Sequence, residues 1–281
     1  MPSILSRLFE GKAVVALVLA HAVAGGVVLA LRKRKNKKRE LQKPGVVYLH
    51  QFPSARSVPS LSSPCLKLET YLRLANIEYE DVRGMEMSPL GKCPWIELDD
   101  VVVPDSDTVI DYLAHKIPDK DLDAHLTTAD AAMAHLVKRT LEEHVYWGIV
   151  YNRWVEDKDK TISTVIGKGI VPSFVGKMIA AGIEKALYGH GLGRHPRTEL
   201  YHRVAKDLKA ASTILGDRPF FGGNAPCAAD ASVFGTVANI LWTPFASPML
   251  DLLKSDLRNL VAHAERIKAL AWPDWDDCLA N

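Results

Sequence analysis

VVYLHQF (46–52), SSPCLKLETYLRLA (62–75), YEDV (79–82), PLGKCPWIEL (89–98) and PDSDTVIDYL (104–113) are the pieces of one stretch that decides the fold. The first is a short run of β-forming residues. Ser63-Pro64 then opens a helix whose Leu68, Tyr71, Leu72 and Ala75 share one face, the spacing of an amphipathic helix packed on a sheet. YEDV supplies a second extended piece, PLGKCPWIEL a turn leading into a strand, and Asp105-Ser106 a cap for another helix. The order predicted is βαββα.

This order resembles the thioredoxin-like half of glutathione transferases. GKCPWIEL is similar to that family's Gly-Lys-x-Pro turn, whose proline is cis, and DSDTVIDYL to its acidic-Ser-x-x-Ile-x-x-Tyr-Leu helix start. A cis bond is inexpensive only before proline. The resemblance implies that Cys93, ahead of Pro94, offers its backbone to the cysteinyl part of glutathione, and that Asp105 and Ser106 hold the γ-glutamyl end. It also implies a group at the front of the first helix that stabilises the glutathione thiolate, where free N–H groups and the helix dipole favour negative charge. Ser63 matches that position, and Cys65 lies in the same first turn. Two readings of Ser63 stand side by side: thiolate partner, or simple N-cap with Pro64 as first helical residue. Cys65 and Cys93 are expected on the same side of the site, as a thiol pair or as two small core residues. His144, Tyr146 and Trp147 are candidates for lining an electrophile pocket or for contacts between helices. Tyr48, His50, Arg194 and His195 are given no catalytic role.

Working outward, AVVALVLAHAVAGGVVLAL (13–31) carries no formal charge and spans roughly 28 Å as a helix, enough for one membrane pass. A cleaved signal peptide is the rival, but the apolar run continues past the Ala-His-Ala site and ends in RKRKNKKR, a stop-transfer flank. Residues 32–43 hold eight positive charges and one negative, which places the following body in the cytosol and adds attraction for anionic lipid. The chain as a whole is +2, so with +7 on this run and +1 before it the rest carries about −6. That sign excludes a nucleic-acid binder. The four cysteines form no Cys-x-x-Cys and no His pair has zinc spacing, so neither a disulfide framework nor a structural zinc site is expected, although Cys65 and Cys93 together could bind a soft metal ion or react with an electrophile.

Three parts follow: an anchor and basic linker over 1–44, a thioredoxin-like domain over 45–116, and an all-helical domain over 117–281. In the last, Thr127-x-x-Asp130 opens one helix, 198–215 forms another closed by Gly216, and 161–191 is apolar but broken by glycines and Pro172. PCAADASVFGTVANILW (226–242) resembles the capping-box helix at the centre of the transferase helical domain. Here Cys227 stands where Ser or Thr is usual, and Asp230 reads as structural. HQFPSARSVPSLSSPCLKLETYLRLANIEYEDV, GHGLGRHPRTELYHRVAKDLKAASTILGDRPFFGG and NLVAHAERIKALAWPDWDD are similar to the failed axon connections family and its metaxin-related relatives, with nematode cadmium-responsive proteins in the same group. The likeness covers 46–277 and implies a glutathione-transferase-like body behind a membrane segment. It leaves two functions open. One is binding or assembly at a cytosol-facing membrane, the mitochondrial outer membrane first and the endoplasmic reticulum or endolysosomal surface next, with a homodimer or membrane-protein partner. The other is glutathione-dependent conjugation, reduction or detoxification.

Overall fold

Strand β1 (Val47–Gln51) is buried at every position, which marks it as central. It pairs parallel with β2 (Tyr79–Arg83) and antiparallel with β3 (Trp95–Leu98), which pairs antiparallel with β4 (Val101–Pro104), so the sheet order is β2-β1-β3-β4. The charged, half-exposed β2 takes one edge, where side chains such as Glu80 and Asp81 meet water. The βαββα expectation lacks β4. That strand is four residues long, follows a turn in which Asp99 has φ +52°, and ends at Pro104 on the other edge, where a missing N–H breaks no ladder.

Helices α1 (Ser63–Leu74) and α2 (Ser106–Lys116) join the sheet. The helical part comprises α3 (Thr128–Thr140), a widened turn Leu141–Val145, α4 (Tyr146–Tyr151), a second widened turn Asn152–Glu156, α5 (Lys158–Val165), α6 (Ile170–His190), α7 (Arg197–Leu215), α8 (Ala228–Leu241), α9 (Pro248–Ser255) and α10 (Arg258–Ala271). The computed structural model describes residues 43–280, and Val47–Asn281 form one compact unit. The anchor expected at 13–31 and nearly all of the basic run lie outside the described residues. Among the described residues no helix is long and apolar enough to cross a membrane.

The two parts share α1 and α8. Leu68, Tyr71 and Leu72 of α1 pack on the sheet with Ala228 and Ala231 of α8, whereas Leu66 joins Phe234 and Val237 in the helical core. Gly235 permits the close approach: a Cβ there would lie 2.6 Å from the Ser63 carbonyl oxygen.

A buried ion network crosses the same junction. The Lys67 ammonium, 2% exposed, sits 2.5 Å from Glu142 and 3.1 Å from Asp107, while Lys138 reaches Asp107 at 2.7 Å. Burial works against the Asp107 charge, yet Lys67 and Lys138 pull its pKa from 3.8 down to about 2. A carboxylate depressed on folding stabilises the native state above its unfolded pKa and loses that contribution as pH falls through the folded value. Asp107 is therefore expected to contribute about 2 kcal/mol at neutral pH, fading from about pH 5 to about pH 2. Urea unfolding of wild type and Asp107→Asn across that range checks this, since the gap between the two should close as the pH drops.

Candidate functional site

Ser62, rather than Ser63, caps α1: its Oγ accepts from Cys65 N at 3.4 Å, and its own N–H donates to Ser60 Oγ at 3.2 Å. Proline fits at either of the first two helical positions, because neither N–H has an intrahelical partner. The chain uses the second, which moves Ser63 into the helix. Its side chain is then 6% exposed, with Oγ buried and without a hydrogen-bond partner among the described residues.

The connection over 52–62 runs up to it. Val58 and Ser60 are fully buried, and four donors hold the loop's carbonyls: Arg83 on Pro59 (2.6 Å), Asn239 on Ser60 (3.2 Å), Arg153 on Leu61 (2.6 Å) and Ala280 N on Ala55 (2.9 Å). Arg153 comes from the widened turn after α4 and is itself buried. Burial pushes its guanidinium down to about 10, so it stays charged at neutral pH. Arg83 is fixed in turn by Glu69, a buried carboxylate that also accepts from Gln51 (2.6 Å) and Tyr79 (2.9 Å).

Beside the helix front, the Cys93–Pro94 bond is cis and the Cys93 sulfur lies 3.8 Å from that of Cys65. Asp105 adopts φ +73°, a backbone conformation that costs a non-glycine residue about 1–3 kcal/mol. Its carboxylate accepts from the N–H groups of Asp107 (3.0 Å) and Thr108 (3.5 Å) and pairs with Lys92 at 2.5 Å. Burial opposes that charge, but Lys92 and the Asp107 N–H hold the pKa below its usual value. Ser106 follows, buried, as the first residue of α2.

The helix front, the cis peptide and the capped start of α2 are thus the elements expected to surround a glutathione-like peptide. Cys93 precedes the cis proline and Asp105 caps α2 ahead of the buried Ser106, while the Ser63 hydroxyl is buried. His144 hydrogen-bonds Asp207 of α7, and Trp147 stacks on His190 of α6 with ring centres 4.9 Å apart, so both join helices. His50 stacks on Trp95 at 3.6 Å, and Arg194 donates to the Tyr188 carbonyl at 2.9 Å. Among the described residues no group of three or more His, Cys, Asp or Glu side chains is placed to hold a metal ion.

Comparison with known proteins places the fold in a family. Profiles described as the glutathione S-transferase N-terminal and C-terminal domains match residues 63–159 and 204–267. Failed axon connections of Drosophila melanogaster is 31% identical over 83% of this chain, which spans 59% of that protein's length, and the metaxin-1 homolog of Caenorhabditis briggsae is 27% identical over 82% of this chain and 75% of its own. The isoprene-epoxide–glutathione S-transferase of Rhodococcus sp. strain AD45 is 33% identical over 79% of this chain and 98% of its own. The chain belongs to the glutathione S-transferase superfamily, in its failed axon connections and metaxin-like group. A glutathione S-transferase of Ceriporiopsis subvermispora, solved with glutathione, superposes with a TM-score of 0.57 over 80% of this chain and 97% of its own at 14% identity, which establishes the shared fold.

Two features of this metaxin-like chain have no local sequence signal. The clamp on the 52–62 loop joins residues distant in sequence, and only an arginine embedded in the apolar stretch YWGIVYNRWV (146–155) hints at it. The weak Cys227 cap of α8 is supplemented by Asp123, which accepts from Ala228 N at 2.7 Å from the segment between the two domains.

Proposed function

We propose that this chain is a binding or assembly protein of the metaxin type, held at a cytosol-facing membrane, in which the transferase fold serves as scaffold. The observation that carries this reading is the enclosure of Ser63. A transferase needs a group that meets the glutathione thiolate in an open site, whereas the hydroxyl at that position is buried at the end of a loop tied to residues of both domains. The failed axon connections and metaxin relatives point the same way.

Membrane attachment rests first on residues 13–31 and the basic run 32–43. A second feature supports it. Ile170, Val171, Phe174, Val175 and Met178 recur at helical spacing on the outward side of α6, opposite the buried Gly176, Ala180 and Leu187, and all five are exposed. Lys168, Lys177 and Lys185 are exposed beside them, on a body that is net negative. An apolar face bordered by lysines suits an anionic lipid surface. The mitochondrial outer membrane fits a chain of this group.

One set of preparations tests the reading. Full-length protein is expected to float with anionic vesicles, and to show neither retention on glutathione resin nor turnover of 1-chloro-2,4-dinitrobenzene above the uncatalysed rate. Saturable conjugation that Ser63→Ala abolishes would overturn the scaffold reading. Failure to float with vesicles would overturn the membrane part.

A further inference from the structure

We propose that Cys65 and Cys93 form a thiol–disulfide exchange pair, in which Cys93 engages a small-molecule disulfide from solvent and Cys65 resolves the adduct. The two sulfurs, 28 residues apart in sequence, meet at 3.8 Å. Closing that contact to the ~2.05 Å of a disulfide requires side-chain rotation over less than 2 Å. The remaining cysteines are placed differently. Cys227 is buried at the start of α8, and Cys278 contacts Asp274 and Arg73 near the end of the chain.

Exposure sets the order of events. Cys93 is half-buried and precedes the cis proline, whereas Cys65 is fully buried in the first turn of α1. A disulfide arriving from solvent therefore meets Cys93 first. The Cys65 sulfur is surrounded by hydrogen-bonding groups as well as by packed apolar side chains. Burial opposes its charge, but hydrogen bonds from Cys93, from Ser62, from the Phe52 backbone and from Ser60 hold its pKa below 9.0. The same contact with Cys65, together with burial, pushes Cys93 far above the ordinary thiol range. The dipole at the front of α1 favours the negative charge on Cys65.

The reaction balances with a disulfide R–S–S–R as oxidant. Cys93 passes its proton to Cys65 and its thiolate attacks one sulfur. The R–S–S–R bond breaks, a Cys93–S–R bond forms, and RS⁻ leaves. That thiolate takes the proton from Cys65, which then attacks the Cys93 sulfur. The Cys93–S–R bond breaks, the Cys65–Cys93 bond forms, and the second RS⁻ is protonated by water. The protein dithiol is oxidised by two electrons and one disulfide is reduced to two thiols. The product ties the loop before β3 to the front of α1.

The test treats full-length protein with hydroxyethyl disulfide, quenches with acid, alkylates with N-ethylmaleimide and maps the peptides by mass spectrometry. Wild type is expected to yield a peptide linked through Cys65 and Cys93, with Cys227 and Cys278 alkylated. Cys65→Ser should accumulate the hydroxyethyl adduct on Cys93 at least tenfold above wild type. Cys93→Ser should leave Cys65 unmodified while the protein stays folded. Should Cys65→Ser fail to fold, Cys65→Ala takes its place, and the wild-type linkage is read without any variant. Equal adduct on Cys93 in wild type and Cys65→Ser, or two free thiols after treatment of wild type, would overturn the proposal.

Discussion

Asp230→Ala is expected to lower the unfolding free energy by about 4 kcal/mol, because it leaves several buried donors without an acceptor. The Asp230 carboxylate has no exposed surface. It accepts from the N–H groups of Phe221 (2.8 Å), Gly222 (3.4 Å) and Cys227 (2.8 Å), and from His263 of α10 at 2.7 Å. One side chain thereby fixes the 220–227 turn, the start of α8 and the face of α10. Alanine supplies none of these bonds, and the space left is too enclosed for solvent to supply them freely. Asp230→Asn keeps one acceptor oxygen but turns an NH₂ toward other donors, so it should fall between alanine and wild type. For a body of this size the alanine variant corresponds to a Tm about 10 °C lower. Differential scanning calorimetry of the three proteins decides it, and a loss below about 1 kcal/mol would mean that the turn relaxes to other partners.

The role of Asp230 was legible in the sequence, since an acidic residue three positions into an apolar helix has few other uses. The capped start at Asp105 was legible for a similar reason, as a local arrangement with its own residue signature, and the cis bond at Cys93–Pro94 followed from the resemblance to the transferase turn. What the sequence hid lies at longer range. Ser62 and Ser63 are interchangeable as caps in a linear reading, and Ser60, by accepting from the Ser62 N–H, helps decide between them. Strand β4 is too short for period-two alternation to register, and proline at its end resembles the lead-in to a helix. The segment over 161–191, expected to be broken, does break at Gly167 and Gly169, whereas Pro172 and Gly182 lie within the single helix Ile170–His190. Proline in a first turn removes no intrahelical bond, and one interior glycine costs only about 1 kcal/mol.

The loop over 52–62 gives the second large effect. Arg153→Leu is expected to cost about 3 kcal/mol and to open the front of α1. The guanidinium donates to Leu61 O at 2.6 Å and to Asn239 at 2.8 Å and 2.9 Å, and it lies over the Phe245 ring. Leucine removes a buried charge, which offsets part of the loss. It takes the donor from the Leu61 carbonyl and from the Asn239 side-chain oxygen, however, and Asn239 is the residue that holds Ser60. Two of the four clamps on the loop are thus weakened together. Stability should fall in calorimetry, and hydrogen exchange of the amides over 60–65 should accelerate more than that of β1. Ser63 would then become accessible. If enclosure is what separates this chain from a working transferase, Arg153→Leu should bind glutathione resin where wild type does not. Faster exchange at 60–65 without any gain in binding would locate the loss of transferase chemistry in the residues of the site instead of in its cover.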